Sequence, residues 1–170
     1  PTVVDAATVY AELKNARRSA GDPSVNVALA AFGDPKYPAL TVEQSDTIAN
    51  PDLRAAVRSG YALEPLPASR TEVERIARLY PGRAAIHLGE EATEERAKAI
   101  GKRVRVIHFA SHGLLDERFP LNSALALTIP ERPAEGQANG LLQAWEIFEQ
   151  MRIDADLVTL SACETGLGKE

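Results

Sequence analysis

An imidazole and a thiol each stand where an apolar run of this 170-residue chain meets a glycine-containing loop. Val104–Ala110 (VRVIHFA) leads into Ser111-His112-Gly113, and Leu157–Leu160 (LVTL) leads into Ser161-Ala162-Cys163-Glu164-Thr165-Gly166. Cysteine attacks as its thiolate, and a neighbouring base generates that form. In open α/β sheets the ligand crevice lies beyond the carboxyl ends of the strands. Two strands that deliver His112 and Cys163 to that edge would bring base and nucleophile together. The chemistry this suggests is that of a cysteine–histidine hydrolase.

Each of these residues also has a plainer role open to it. A lone cysteine in a folded domain is ordinarily a small buried apolar residue. The loop with Gly166 and Gly168 behind Cys163 argues instead for an accessible strand end. Among the three histidines, His87 precedes Leu88-Gly89 in a short apolar stretch and reads as structural or surface. His108, flanked by Ile107 and Phe109, reads as a core histidine with a satisfied ring. His112, two residues beyond its strand and beside Gly113, is either structural or the base. Trp145 falls at helical spacing and reads as core.

Bulk composition narrows the classes. Hydrophobic residues make up 45% and charged residues 25%, and the net charge is −5, which is ordinary globular composition for one well-cored domain. Lys and Arg are scattered singly or in pairs, whereas nucleic-acid binding needs a basic face. No apolar run reaches the roughly 18–20 residues of a membrane span, and the N-terminus lacks a signal-peptide pattern. One Cys forms no internal disulfide, and no Cys/His cluster has zinc spacing. These features predict a cytoplasmic protein with no metal or cofactor, no nucleic-acid partner and no membrane association.

The elements that must position the two motifs alternate along the chain. Thr2–Ser19 reads as a helix or a linker from an upstream region, so 1–24 is set apart from a domain over 25–170. Strands are predicted at Val25–Phe32, Ala84–Leu88, Val104–Ala110, Ala124–Ile129 and Asp156–Leu160. Weak helical character falls around Leu53–Ser59. Ser69-x-x-Glu72 reads as a capping box, with Val73, Ile76, Ala77 and Tyr80 at helical spacing behind it. Thr93 is the expected cap of Glu94–Ile100. Leu141–Met151 is the last predicted helix, with Leu142, Trp145, Ile147 and Phe148 on or near its buried side. Such alternation predicts an α/β fold with a mostly parallel sheet and helices on both faces. Asp156–Leu160 is expected to be a central strand, parallel to Val104–Ala110 and next to it or nearly so.

The stretches HFASHG, NSALAL, NGLLQAWEI and ADLVTLSACETGLGK resemble the CHAT domain, a caspase-like cysteine peptidase module of clan CD often fused to TPR repeats in bacteria. FGDP at Phe32–Pro35, LPASRTEV at Leu66–Val73 and LGEEATEE at Leu88–Glu95 are similar to its upstream half, so the resemblance spans roughly Asn26 to Glu170. It implies a caspase-like three-layer sandwich and an endopeptidase acting on protein or peptide substrates. In the caspase signature a His lies about 50 residues before the Cys motif Q-A-C-[RQG]-G. Here the separation is 51 residues, but Ser161 replaces the Gln and Glu164-Thr165 precede the Gly.

The resemblance implies that His112 is the base of a Cys163–His112 dyad. It also implies that the backbone N–H groups of Gly113 and Cys163 form the oxyanion hole. Asp34, after the first strand, and Ser161, two residues before Cys163, would line the first specificity pocket; Asp34 is equally at home as a turn residue of Gly-Asp-Pro. A carboxylate there would select arginine. Asp116, Glu117 and Glu164 are alternative pocket acids. Family members continue past a Gly-Lys like Gly168-Lys169, so a C-terminal remainder is expected to pair with Asp156–Leu160, and an upstream TPR-like or sensor domain is expected too. The alternative function is a non-catalytic caspase-like interaction or scaffold module.

Overall fold

Uninterrupted apolar runs make strands that are covered on both faces, and four such runs pair in parallel. They are Leu29–Gly33 (β1), Ala84–Leu88 (β2), Val106–Ala110 (β3) and Leu157–Leu160 (β7), in the order β2-β1-β3-β7. The computed structural model describes residues 27–39, 43, 46, 48, 50–131 and 137–161. The segment Thr2–Ser19 and the loop carrying Cys163 lie outside them. Among the described residues no helix is long and apolar enough to cross a membrane.

Helix α1 (Pro51–Arg58) starts where Asn50 accepts from the N–H groups of Asp52 and Leu53, at 3.0 and 3.1 Å. Helix α2 (Pro67–Ala77) starts on Pro67, whose missing N–H costs nothing in a first turn. The expected capping box is not used. Ser69 lies inside the helix, where its Oγ donates to the Leu66 carbonyl (2.7 Å) and accepts from the Asp34 N–H (2.6 Å). Thr93 does cap α3 (Glu94–Lys98), accepting from the Arg96 N–H at 3.3 Å.

Beyond β3 the chain departs from the expected pattern. His112–Leu114 (β4), Ala124–Ala126 (β5) and Leu141–Gln143 (β6) form a second, antiparallel sheet in the order β4-β5-β6. The predicted strand Ala124–Ile129 is thus a three-residue strand outside the parallel sheet. The predicted helix Leu141–Met151 is a strand followed by α4 (Ala144–Gln150), and Phe148 is 75% exposed rather than buried.

Three layers result. One face of the parallel sheet (Leu29, Ala31, Ala110) packs against Val73, Ile76 and Ala77 of α2. The other face (Ala30, Phe32, Ile107, Phe109) packs against Ala97 of α3, Ile147 of α4, and Leu125, Leu127 and Leu142 of the second sheet or its margins. Leu53 and Val57 of α1 cover the far side of that sheet, against Leu114, Ala124 and Ala126. This is the expected α/β architecture with helices on both faces.

Strand β7 pairs in parallel with β3, as expected, with Val106 opposite Leu157 and Phe109 opposite Leu160. It is not central among the described residues. It is the outermost strand, and Leu157, Val158 and Leu160 are 51%, 48% and 58% exposed. The sheet positions of β7 are reinforced at its start, where Arg105 pairs with Asp156.

Two glycines are fixed by space and backbone conformation. A Cβ on Gly33 would lie 2.8 Å from Val73 Cγ2 and 2.9 Å from the Ser69 carbonyl oxygen, so α2 closes directly on the end of β1. Gly140 has φ +86°, and a Cβ there would lie 2.7 Å from Ile129 Cα and the Thr128 carbonyl oxygen. Its N–H donates to Glu94 Oε2 at 2.8 Å. Glu94 is buried beside Lys98, which bridges it to Glu146 at 2.5 and 2.6 Å. Substituting Gly140→Ala is expected to destabilise the protein by at least about 2 kcal/mol, from left-handed strain plus overlap with backbone. Urea unfolding checks this; a change within about 0.5 kcal/mol, typical of an inert surface site, would contradict it.

His87 packs against the Phe32 ring at a centroid distance of 4.7 Å. Burial pushes its pKa below the ordinary histidine value; Arg96 pushes the same way, and Glu91 opposes them. As pH falls through about 6.5 the unfolded chain takes up this proton before the folded one does. Stability is therefore lost on acidification, while above that value both states are neutral and the group contributes nothing. Urea midpoints at pH 7.5 and 5.5 should fall less in His87→Gln than in the parent. An equal fall in both proteins would assign the pH dependence to other groups.

Candidate active site

Parallel pairing of β3 with β7 brings the two motifs out of one sheet edge on neighbouring strands, which lie about 4.8 Å apart in such sheets. The Ser161 N–H donates to the Phe109 carbonyl at 2.8 Å, continuing the ladder one residue beyond β7. Ser161 itself is exposed. Cys163 follows two residues later and lies outside the described residues.

His112 opens β4 and is 3% exposed. Its Nε2 lies 2.8 Å from the Glu64 carbonyl oxygen. A carbonyl only accepts, so Nε2 carries a proton, and the tautomer compatible with this bond has its lone pair on Nδ1. That tautomer is the one a base needs if Nδ1 faces the thiol. The Glu64 segment is itself anchored to the strand that carries His112. The Tyr61 hydroxyl donates to the Leu115 carbonyl and accepts from the Leu115 N–H, both at 2.9 Å.

Ladder parity decides where the Gly113 peptide points. The Leu127 N–H donates to the Gly140 carbonyl and the Ala144 N–H to the Ser123 carbonyl, so odd-numbered residues of β5 turn their peptides toward β6. Even-numbered residues then turn toward β4, with Ala126 facing His112 and Ala124 facing Leu114. Gly113, opposite Leu125, therefore directs its N–H away from β5, to the outer side of β4. Next to it in sequence, the Ser111 hydroxyl is buried without a hydrogen-bond partner among the described residues.

The Tyr37 hydroxyl donates to the Ala126 carbonyl at 2.8 Å and receives the His112 N–H at 3.4 Å. The Tyr37 and His112 rings lie 5.3 Å apart at 46°. Burial pushes the Tyr37 phenol above its ordinary value, partly offset by the His112 N–H, so it stays protonated at neutral pH. A cavity of about 570 Å³ opens beside Tyr37, lined by Lys36, Thr93, Thr128 and Gly140 among others. His112, Gly113 and Asp34 do not line it, so it is not the crevice of the two motifs.

Asp34 sits at the carboxyl end of β1 in a left-handed conformation, φ +49°. Its carboxylate is buried and already held by two cations. Arg70 donates to Oδ2 through Nε at 3.0 Å and Nη2 at 2.7 Å, and Lys36 Nζ lies 3.2–3.3 Å away. Burial raises its pKa, but the hydrogen bonds and charges of Arg70 and Lys36 outweigh that and hold the group below the usual carboxylate range. A substrate guanidinium must displace one of these partners to reach it. His108 is buried as expected, but its ring is not satisfied as expected: Nε2 lies 2.9 Å from Glu72 Oε1, outside hydrogen-bond alignment. Trp145 is half-buried and donates to Gln143 Oε1 at 2.9 Å. Among the described residues no group of three or more His, Cys, Asp or Glu side chains could hold a metal ion.

Sequence reading missed Glu64 and Tyr37. Glu64 acts through its backbone carbonyl, which no residue type announces. Tyr37 had one available signal, an aromatic residue just behind the Gly-Asp-Pro turn that ends β1. No curated protein and no solved structure matches the chain. The family model described as the CHAT domain matches residues 3–170. The chain therefore belongs to the CHAT domain family, a caspase-like group related to peptidases.

Proposed function

We propose that this chain is a cysteine endopeptidase module that hydrolyses peptide bonds through Cys163 and His112. The observation that carries this reading is the His112 ring, whose Nε2–H is committed to the Glu64 carbonyl at 2.8 Å, two residues beyond β3, the strand that pairs with β7. Nδ1 takes the proton of the Cys163 thiol, and the thiolate attacks the substrate carbonyl carbon. The oxyanion that forms is received by the N–H groups of Gly113 and Cys163; the outward turn of the Gly113 peptide supports the first of these. The imidazolium then protonates the leaving amine. Water, deprotonated by the same ring, releases the acyl group and restores the thiol.

A lone thiol is readily kept reduced in a compartment such as the cytoplasm. A second polypeptide segment pairs with β7 in the functional protein, a role supported by its three exposed apolar side chains. Protein or peptide substrate enters at the carboxyl edge of β3 and β7, with Ser161 at the rim. An upstream TPR-like or sensor domain controls that access.

In the full-length protein, Cys163→Ala and His112→Ala are each expected to lower kcat at least about 1,000-fold with little change in melting temperature. Cleavage of a generic protein substrate read by mass spectrometry checks this, and retained cleavage in Cys163→Ala would overturn the dyad. Asp34 serves as the acid of the first pocket once a substrate arginine replaces Lys36 on its free side. Asp34→Asn should then cost Arg-containing fluorogenic peptides about tenfold more in kcat/KM than their Leu counterparts. Equal losses on both peptides would leave Asp34 only the task of holding Arg70 and α2.

A further inference from the structure

His112 has two kinds of support, and only one of them is the Glu64 carbonyl. That carbonyl constrains a single ring nitrogen, and a single hydrogen bond leaves the ring free to pivot about it. What opposes the pivot is Tyr37. Its ring lies against the imidazole at 5.3 Å, and its hydroxyl meets both members of the cross-strand pair His112–Ala126. The phenol oxygen does this with one proton, given to the Ala126 carbonyl, and one lone pair, which receives the His112 N–H.

Tyr37 is itself not free to move. Its neighbour Lys36 donates its N–H to Thr128 Oγ1 at 3.0 Å and receives the Ile129 N–H on its carbonyl at 2.9 Å. The residue therefore reaches His112 from the loop that leaves β1, as part of a different sheet. We propose that Tyr37 is the positioning residue for His112: its hydroxyl holds the His112 backbone and its ring bears on the imidazole, which together keep Nε2 on the Glu64 carbonyl, in the tautomer that leaves Nδ1 able to take a proton. This rests on the peptidase reading above, in which Nδ1 receives the thiol proton. It adds a group that acts through His112 rather than on the reacting atoms.

A merely structural tyrosine and a positioning one differ in what their loss changes. Removing the hydroxyl by Tyr37→Phe keeps the ring contact and the volume. The His112 N–H and the Ala126 carbonyl then lose their shared partner, and the His112 backbone, carrying the ring, can shift off the Glu64 carbonyl. In the full-length protein, kcat should fall about 10- to 100-fold with KM within about twofold of the parent, the pattern of a misplaced group rather than a lost binding contact. The decisive readout needs no peptidase activity. Protein labelled with 15N-histidine, with signals assigned against His87→Gln and His108→Gln, should show His112 as the Nε2–H tautomer in the parent and as averaged tautomers in Tyr37→Phe. Unchanged His112 15N shifts in a folded Tyr37→Phe protein would overturn the proposal. If cleavage is absent or survives Cys163→Ala, the peptidase reading fails while the 15N result still decides the role of Tyr37. If Tyr37→Phe does not fold, 3-fluorotyrosine placed at residue 37 weakens the oxygen as an acceptor without changing its place. The His112 amide and ring shifts must then move with it, and static shifts would equally overturn the proposal.

Discussion

A strand that runs past its sheet must find partners for its peptide groups elsewhere, because buried amides and carbonyls are not left unpaired. The chain that runs on from β5, Leu127–Ile129, meets this demand, and its solution holds the molecule together. The Thr128 N–H donates to the Ala92 carbonyl, the Thr128 hydroxyl to the Gly89 carbonyl, and the Ile129 N–H to the Lys36 carbonyl. Gly140 lies so close on the other side that no Cβ fits. Three separate stretches of chain, around Lys36, Gly89–Ala92 and Gly140, therefore converge on two residues. Through them the small antiparallel sheet is registered against the loops at the carboxyl end of the parallel one.

Electrostatics reinforce the same junction from below. Glu94 and Glu146 would repel each other in a poorly solvated place, and burial pushes the Glu94 carboxyl above its ordinary value. Lys98 lies between them, Gly140 donates to one, and the Gln143 N–H donates to the other at 2.9 Å. Buried charges are tolerated when each is paired and hydrogen-bonded, and removal of one partner is costly. The helices α3 and α4 are short, at five and seven residues. Such lengths are marginal alone, so these ion pairs and the apolar contacts of Ala97 and Ile147 hold them in place.

Much of this was legible in the residues. The runs at Ala84–Leu88 and Leu157–Leu160 became parallel strands as continuous apolar sequence predicts, although as the two edge strands they leave Ile86, Leu157, Val158 and Leu160 exposed. The neighbouring exits of β3 and β7 followed from the same pattern. The second sheet was not legible, because strands of three residues carry too little periodicity to register. Leu141–Gln143 was absorbed into the helix behind it for that reason, and Phe148 was placed inward on an amphipathic pattern that tertiary packing did not use. Ser69 misled because a Ser-x-x-Glu pattern also fits a helix begun one turn earlier by proline. Asp34 kept its place at the end of β1, but the cations that hold it come from two and thirty-six residues away. The site showed the same division: His112 announced itself by its neighbours, whereas the Glu64 carbonyl and the Tyr37 hydroxyl act through atoms or distances that sequence spacing does not encode.

The imidazole and the thiol motif are carried by different layers. His112 rides on the three-stranded antiparallel sheet, and the segment leading to Cys163 rides on the four-stranded parallel one. Their separation is therefore a property of how two slabs are seated on one another rather than of either slab alone. Ser111 alone joins β3 to β4, so any glide of one layer on the other must be taken up beside His112. The molecule thus resembles a caliper whose jaws are rigid and whose reading depends on the slide between them. The contacts at Thr128, Ile129 and Tyr37 are what lock that slide.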